Sequence, residues 1–297
     1  MSPSEKMSIV ILTHNRQPEI IRTLEFLLCD PGAPKICVVD NASRDGTAEA
    51  IRRKFPVVQL VQLSENQGAA GRNHGVRAVH TPYVAFCDDD TWWAPGSLAR
   101  ACTMLDSYPA LAVVTARVLV GPEEREDPTS RRMESSPLQN VLDVAEISIV
   151  AGMMAGACIV RRQAFLAAGG YEPRFFLGGE ESLLSLDLMA AGWILAYAPA
   201  LVVHHYPSSQ RDSGRRRRLL LRNALWCAWL RRPLGSALRE TARHLRAAGK
   251  AGLSGVLAET LRGMPWVLSH RRVIPAHIEW QLQHLENNEM PPRGFAG

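Results

Sequence analysis

Residues 83–93 read YVAFCDDDTWW: a short run of strand-forming residues that ends in three consecutive carboxylates, Asp88, Asp89 and Asp90. The run has the length and composition of a buried strand. Carboxylates held this close raise one another's pKa unless a cation or hydrogen-bond donors share the site. Either the three side chains diverge into water, or something positive sits among them.

The sequence before this stretch repeats one pattern. SIVILTHN (8–15) is an apolar run ending in polar groups, and QPEIIRTLEFLLC (17–29) follows with Pro18 in a first helical turn and Ile20, Ile21, Leu24, Leu27 and Leu28 at helical spacing. KICVVD (35–40) is a second strand, and NASRDGTAEAIRRKF (41–55) is a turn feeding a helix with Thr47 as the expected N-cap. VVQLVQL (57–63) is a third strand, and NQGAAGRNHGVRAVH (66–80) is a loop and helix leading into Tyr83. Strands and helices alternating in units this short imply right-handed crossovers and a largely parallel sheet, an α/β fold. Ligands of such sheets sit outside the carboxyl ends of the strands. Thr13–Arg16, Asp40–Ser43 and Asp88–Asp90 all fall on that rim.

Beyond the aspartates the pattern changes. A helix is expected over 95–107 and a strand over 110–121, followed by PEEREDPTSRRMESSP (122–137), which reads as a mobile polar loop. Residues 152–193 read as a strand, a short helix, a Gly-rich turn and a second helix, and ILAYAPALVVHHYPSS (194–209) as strand. From Gly214 the chain reads as helical, with Leu234, Ala237, Leu238, Thr241, Ala242 and Leu245 at i, i+3, i+4 spacing.

Composition fits a folded globular protein: 297 residues, 46% hydrophobic and 21% charged. The net charge of +5 is uneven. Residues 1–210 hold 18 Lys and Arg against 23 Asp and Glu, whereas 211–297 hold 16 against six. The division expected is therefore a unit over 1–210 and a basic helical extension over 211–297, with the boundary near 208–214. The six cysteines show no CxxC pair or metal-ligand spacing, which suits a reduced, cytoplasmic chain. The apolar run near the N-terminus is too short for a signal peptide, and no run reaches the ~18 residues of a membrane span, although residues 147–160 come closest.

VILTHNR, CVVDNASRDGT, ENQGAAGRNHGV, VAFCDDD and RFFLGGEESLLSLDLMAAGW occur in this order over roughly residues 7–207. Together they resemble the family 2 glycosyltransferases. That resemblance implies the GT-A fold, a Rossmann-like mixed but mainly parallel sheet flanked by helices. It also implies an inverting enzyme with a metal-binding DXD motif. The expected partners are a nucleotide-diphosphate sugar (UDP-, dTDP- or GDP-), Mn²⁺ or Mg²⁺, and an acceptor hydroxyl in polysaccharide or glycoconjugate biosynthesis. The leaving diphosphate gathers negative charge, and a hard divalent cation bound by carboxylates would neutralise it.

Residue by residue, the resemblance makes Asp90 the metal ligand and Asp88 a contact to the ribose or to the metal's water shell; Asp89 receives no role. Asp40 would accept from the nucleoside, although a carboxylate there also suits capping the next turn. Thr13, His14 and Asn15 would line the nucleoside pocket, Arg72 would stand beside the nucleotide, and Gly68 and Gly71 would let the backbone approach it. Gly156, with Ala157, would lie beneath the donor sugar. Glu181 would be the general base that takes the acceptor's proton, with Glu180 the second catalytic candidate. The chain departs from the family here: Glu181 and Leu183 stand where Asp is common, and Asp187 where a basic residue is common. Acids in a first helical turn are also favoured by the dipole alone. Of His204 and His205 one faces inward, and the family's offset selects His205 for the metal. Trp92 and Trp93 suit either sugar stacking or the core.

SGRRRRLLLRNALWCAWLRR (213–232) interleaves arginines with leucines and tryptophans. That pattern fits a helix on the anionic inner face of a membrane, serving a lipid-linked acceptor, or a helix packed on the first unit with a solvated arginine face. No nucleic-acid-binding motif is present. Two other functions remain open. A nucleotidyltransferase would need a Gly-rich basic first loop, which LTHNRQPEI lacks, and a non-catalytic sugar-nucleotide binder would fit the altered EESLLSLD.

Overall fold

The computed structural model describes residues 3–29, 32–207, 213–248 and 253–288. The expected boundary at 208–212 lies outside them. The strands are β1 (Met7–Thr13), β2 (Lys35–Asp40), β3 (Gln59–Gln62), β4 (Tyr83–Asp88), β5 (Thr91–Trp93), β6 (Leu111–Val120), β7 (Arg125–Glu126), β8 (Ser148–Ile149), β9 (Cys158–Arg161) and β10 (Ile194–His205). The helices are α1 (Pro3–Lys6), α2 (Gln17–Leu28), α3 (Thr47–Lys54), α4 (Arg72–Ala78), α5 (Ser97–Ser107), α6 (Pro128–Glu134), α7 (Arg162–Ala167), α8 (Glu180–Ala190), α9 (Ser213–Arg231), α10 (Leu234–Ala248), α11 (Leu253–Ser269) and α12 (Ala276–Asn288).

All described strands join one mixed sheet in the order β3-β2-β1-β4-β9-β6-β10-β5, with β7 on β6 and β8 on β10. The first four strands form three parallel pairings, and their register aligns the polar ends: Thr13 faces Asp40, and Leu12 faces Asp88. β9 then runs antiparallel between β4 and β6. The short β5 runs antiparallel to β10 and sets Thr91 opposite His205, which returns the late histidine to the early aspartates.

Successive residues of the inner strands enter opposite layers, as a pleat of period two requires. Val10, Val84 and Phe86 pack with Phe165, Tyr171 and Phe175, while Ile9, Ile11 and Cys87 pack with Ile20, Leu24 and Leu105. Trp226, Cys227 and Leu230 of α9, with Val267, Ile274 and Ile278, belong to the first of these layers. The basic segment thus shares the core of the sheet.

Local readings differ in three places. Pro18 does open α2, but Gly46, at φ 83°, occupies the N-cap of α3. Asp45 supplies the capping carboxylate, accepting from the backbone N–H and hydroxyl of Thr47 at 3.1 and 2.5 Å. The helix after the aspartates begins at Ser97, because residues 94–97 form a turn with Gly96 at φ 79°. The polar stretch 122–137 contains β7 and α6; Asp127 caps α6 by accepting from Thr129 N at 2.7 Å, and Pro128 starts it.

Candidate active site

The carboxyl ends of β1 and β4, the loop before α8 and the end of β10 surround an open cavity of about 810 Å³. Thr13, His14, Gly68, Arg72, Asp88, Asp90, Gly156, Glu180, Glu181 and His205 all line it. Asp40 and Asn15 do not. Asp40 is fully buried, and its carboxylate accepts from Ser43 N at 3.1 Å and Gln62 Nε2 at 3.3 Å. Asn15, at φ 52°, ties its loop to the next, its amide oxygen accepting from Arg44 N at 2.7 Å.

The aspartates diverge to three different partners. Asp88 pairs with the buried Arg72 guanidinium. Burial disfavours the Arg72 cation, but Asp88, Tyr171, Glu180 and Glu181 together outweigh it and hold the pKa above its ordinary value. A Cβ at Gly156 would overlap Asp88 Oδ2, so this glycine provides the space for the carboxylate. Asp89 accepts from Thr13 Oγ1 at 2.9 Å, while its backbone oxygen accepts from Thr23 Oγ1 at 2.8 Å. Burial, then Asp90 and Asp88, push its pKa up to about 7. Asp90 is buried, with His205 Nε2 3.5 Å from its Oδ1. His204 points elsewhere, with Nδ1 3.2 Å from Glu124 and its ring stacked on Trp92. Trp93 is buried and donates to Phe86 O at 3.2 Å, so it is a core residue.

Asp90 and His205 offer one hard oxygen and one imidazole nitrogen to a cation, a donor set that suits Mn²⁺ or Mg²⁺. Among the described residues no three His, Cys, Asp or Glu side chains gather as a metal site. A cation held by this pair would therefore complete its shell with water and ligand oxygens, as Mg²⁺ sites at phosphates do.

The two glutamates enter from α8. Gly178 and Gly179, at φ 82° and 86°, turn the chain sharply into the helix, a conformation that favours glycine. Gly68, at φ 58°, is required for a different close approach: its Cβ would overlap the Phe176 carbonyl, to which Ala69 N donates at 2.6 Å. Burial, then repulsion from Glu181, pushes Glu180 up to about 8, and burial also raises Glu181. Glu180 Oε2 is buried with no hydrogen-bond partner. A carboxylate with a raised pKa in a cavity is equipped to take up a proton.

Sequence reasoning missed several lining residues. Asn41 donates from one amide to Asn66 Oδ1 and Gly68 O, both at 3.0 Å, and braces the loop before α4. His14 Nδ1 donates to Asn41 O at 2.7 Å. Arg16, Asp127, Thr129 and Arg216 also reach the cavity. Arg16 and Asn41 fall within the stretches placed on the strand-end rim but received no role, and no sequence signal flagged Asp127, Thr129 or Arg216.

Comparison with known proteins places the arrangement. The model for "Glycosyl transferase family 2" matches residues 8–169. The N-acetylglucosaminyl-diphospho-decaprenol L-rhamnosyltransferase of Mycobacterium tuberculosis is 25% identical over 238 residues, covering 68% of this chain and 76% of its own length. The fold resembles that of S. aureus TarS 1–349 in complex with UDP-GlcNAc (TM-score 0.61, 16% identity, 81% of this chain and 71% of that one). It also resembles the mannosyltransferase PcManGT of Pyrobaculum calidifontis in complex with GDP-Man and Mn²⁺ (TM-score 0.55, 20% identity, 96% and 86%).

Proposed function

The chain belongs to glycosyl transferase family 2 and is a glycosyltransferase of GT-A fold, and from that premise we propose an inverting, divalent-metal-assisted transfer from a nucleotide-diphosphate sugar to an acceptor hydroxyl. The supporting observation is convergence: Asp88 from the end of β4, Asp90 from the turn after it, His205 from β10 and Glu181 from α8 line one cavity.

Glu181 takes the proton of the acceptor hydroxyl. The acceptor oxygen forms its bond to the anomeric carbon on the face opposite the leaving group, and the bond from that carbon to the diphosphate oxygen breaks with its electron pair. Arg72 holds Asp88 in place near the sugar and diphosphate, with Gly156 beneath. Asp90 and His205 would hold Mn²⁺ or Mg²⁺, which supplies positive charge to the departing diphosphate. His14, Thr13 and the Asn41-braced loop form the nucleoside end, with Asp40 and Asn15 shaping it from behind.

The decaprenol-linked name of the mycobacterial relative and the basic C-terminal helices support a lipid-linked acceptor reached at the inner face of an anionic membrane. No described helix is long and apolar enough to cross a membrane. Leu219, Trp226 and Leu230 are buried against the protein. Among the described side chains of α9, exposed Arg216, Arg217, Arg218 and Leu220 would make any bilayer contact.

The test is a panel of UDP-, GDP- and dTDP-sugars with Mn²⁺ or Mg²⁺, following binding, slow donor hydrolysis and transfer. Glu181→Gln is expected to keep metal-dependent donor binding and to lose about 10²–10⁴-fold in turnover. Absence of metal-dependent binding to every donor would refute the assignment. Wild-type binding with neither hydrolysis nor transfer would favour a non-catalytic binder.

A further inference from the structure

A second concavity, of about 490 Å³, opens between α9 and α11. Three arginines, Arg218, Arg222 and Arg262, line it against one acid, Glu259. The acid neutralises them incompletely: Glu259 is 41% exposed and its Oε2 lies 3.8 Å from Arg222 Nη1. Trp226 forms an aromatic wall. A Cβ at Gly263 would overlap its ring, its Nε1 donates to Thr260 O at 3.1 Å, and the Arg222 guanidinium stacks 4.4 Å from the ring centroid. Burial lowers the Arg222 pKa, with Glu259 opposing it. Excess cationic charge on a partly desolvated, rigid wall suits a compact anion, and paired guanidinium groups match phosphate oxygens.

The position of this cleft gives it a purpose. Leu219 lines both it and the main cavity. Leu220 fills the space beside Gly178, and Arg222 Nη2 donates to the carbonyls of Arg174 and Phe175 at 3.0 and 3.1 Å, on the loop that delivers Glu180 and Glu181. An acceptor whose hydroxyl reaches Glu181 would extend past Leu219 toward the arginines. We propose that the α9–α11 cleft is an acceptor subsite that holds a phosphate or diphosphate group of the acceptor. This assignment rests on the transferase reading and adds the chemical class of its second substrate.

The decisive comparison is wild type against Arg218→Glu/Arg262→Glu, both exposed positions outside the catalytic constellation. Inorganic diphosphate and farnesyl diphosphate are titrated calorimetrically in EDTA, and the sugar-nucleotide panel is titrated separately with Mn²⁺. Circular dichroism verifies that the variant is folded. The expected result is farnesyl diphosphate binding tighter than inorganic diphosphate, weakened about tenfold or more in the variant, with donor binding unchanged. Equal affinity in the two proteins overturns the proposal. Preference for inorganic diphosphate over its prenyl ester overturns the acceptor assignment in favour of a free-anion site. Loss of co-sedimentation with phosphatidylglycerol vesicles, with diphosphate affinity intact, reassigns the arginines to a membrane surface and also overturns it. Absence of donor binding in both proteins refutes the transferase reading itself, and with it the acceptor role, even where the anion titration succeeds.

Discussion

Arg231 of α9 and Asp187 of α8 form a two-point ion pair, with Nε 2.5 Å from Oδ1 and Nη2 3.0 Å from Oδ2. Asp187 stands where the resemblance leads one to expect a basic residue, and its partner lies in the basic C-terminal segment. Removing Asp187 would leave a buried guanidinium unpaired, because the Arg231 side chain is only 6% exposed. Asp187→Ala should cost about 3 kcal/mol in denaturant unfolding. Asp187→Leu combined with Arg231→Met should recover most of that loss, since neither charge is then stranded.

The two glutamates couple stability and activity to pH in opposite directions. The folded-state pKa of Glu180 stands at about 8, above its ordinary value of 4.5. The unfolded chain therefore releases its proton first, and the folded state loses stability as pH rises from about 4.5 to about 8. Turnover needs the ionised base and should rise over that window, with apparent values belonging to the pair. Glu180→Gln should flatten the decline of the unfolding midpoint and shift the acid limb of the rate profile downward. A pH series of thermal melts alongside initial rates checks both.

Gly156→Ala tests the floor beneath Asp88. The added methyl would overlap Asp88 Oδ2 and force the carboxylate away from its place beside Arg72. Donor affinity should fall about tenfold, the equivalent of ~1.4 kcal/mol, within the usual range for overpacking. Circular dichroism should show the fold retained. Unchanged donor affinity would mean that Asp88 does not contact the nucleotide sugar.

His205→Ala and His204→Ala separate the two adjacent histidines. His205 stands by Asp90, whereas His204 pairs with Glu124. Loss of His205 should raise the Mn²⁺ concentration for half-maximal activity about tenfold or more, and loss of His204 should leave it unchanged. Titration of activity with Mn²⁺ reads the difference directly.

The strand-helix alternation was legible in the sequence because it depends on local periodicity. The shared rim followed from it, since parallel strands must end on one side. Ladder partners were not: nothing in CIVR announces that β9 runs antiparallel between β4 and β6. The polar stretch 122–137 looked loop-like by composition, yet Asp127 and Pro128 supply a sound helix start. The residues of the cavity were recognisable by type, but their partners were not. Thr13 on Asp89 spans 76 positions of sequence, and Asp40 turned inward to Ser43 and Gln62. The apolar positions of α9 carried no sign of whether protein or lipid would cover them; Trp226 and Leu230 show that protein does.

Asn223 of α9 donates one side-chain amide to three carbonyls, Phe175 at 2.8 Å, Leu177 at 3.2 Å and Gly178 at 2.5 Å. Those carbonyls emerge from the ribosome more than forty positions before the amide that satisfies them. Until Asn223 is synthesised, the carbonyls of Leu177 and Gly178 lack this donor, whereas Phe175 O also accepts from Leu177 N at 2.7 Å. The parallel ladder of β1 to β4 is made entirely of residues that precede Asn223. The turn that carries Glu180 and Glu181 is thus completed by a residue from the last third of the chain.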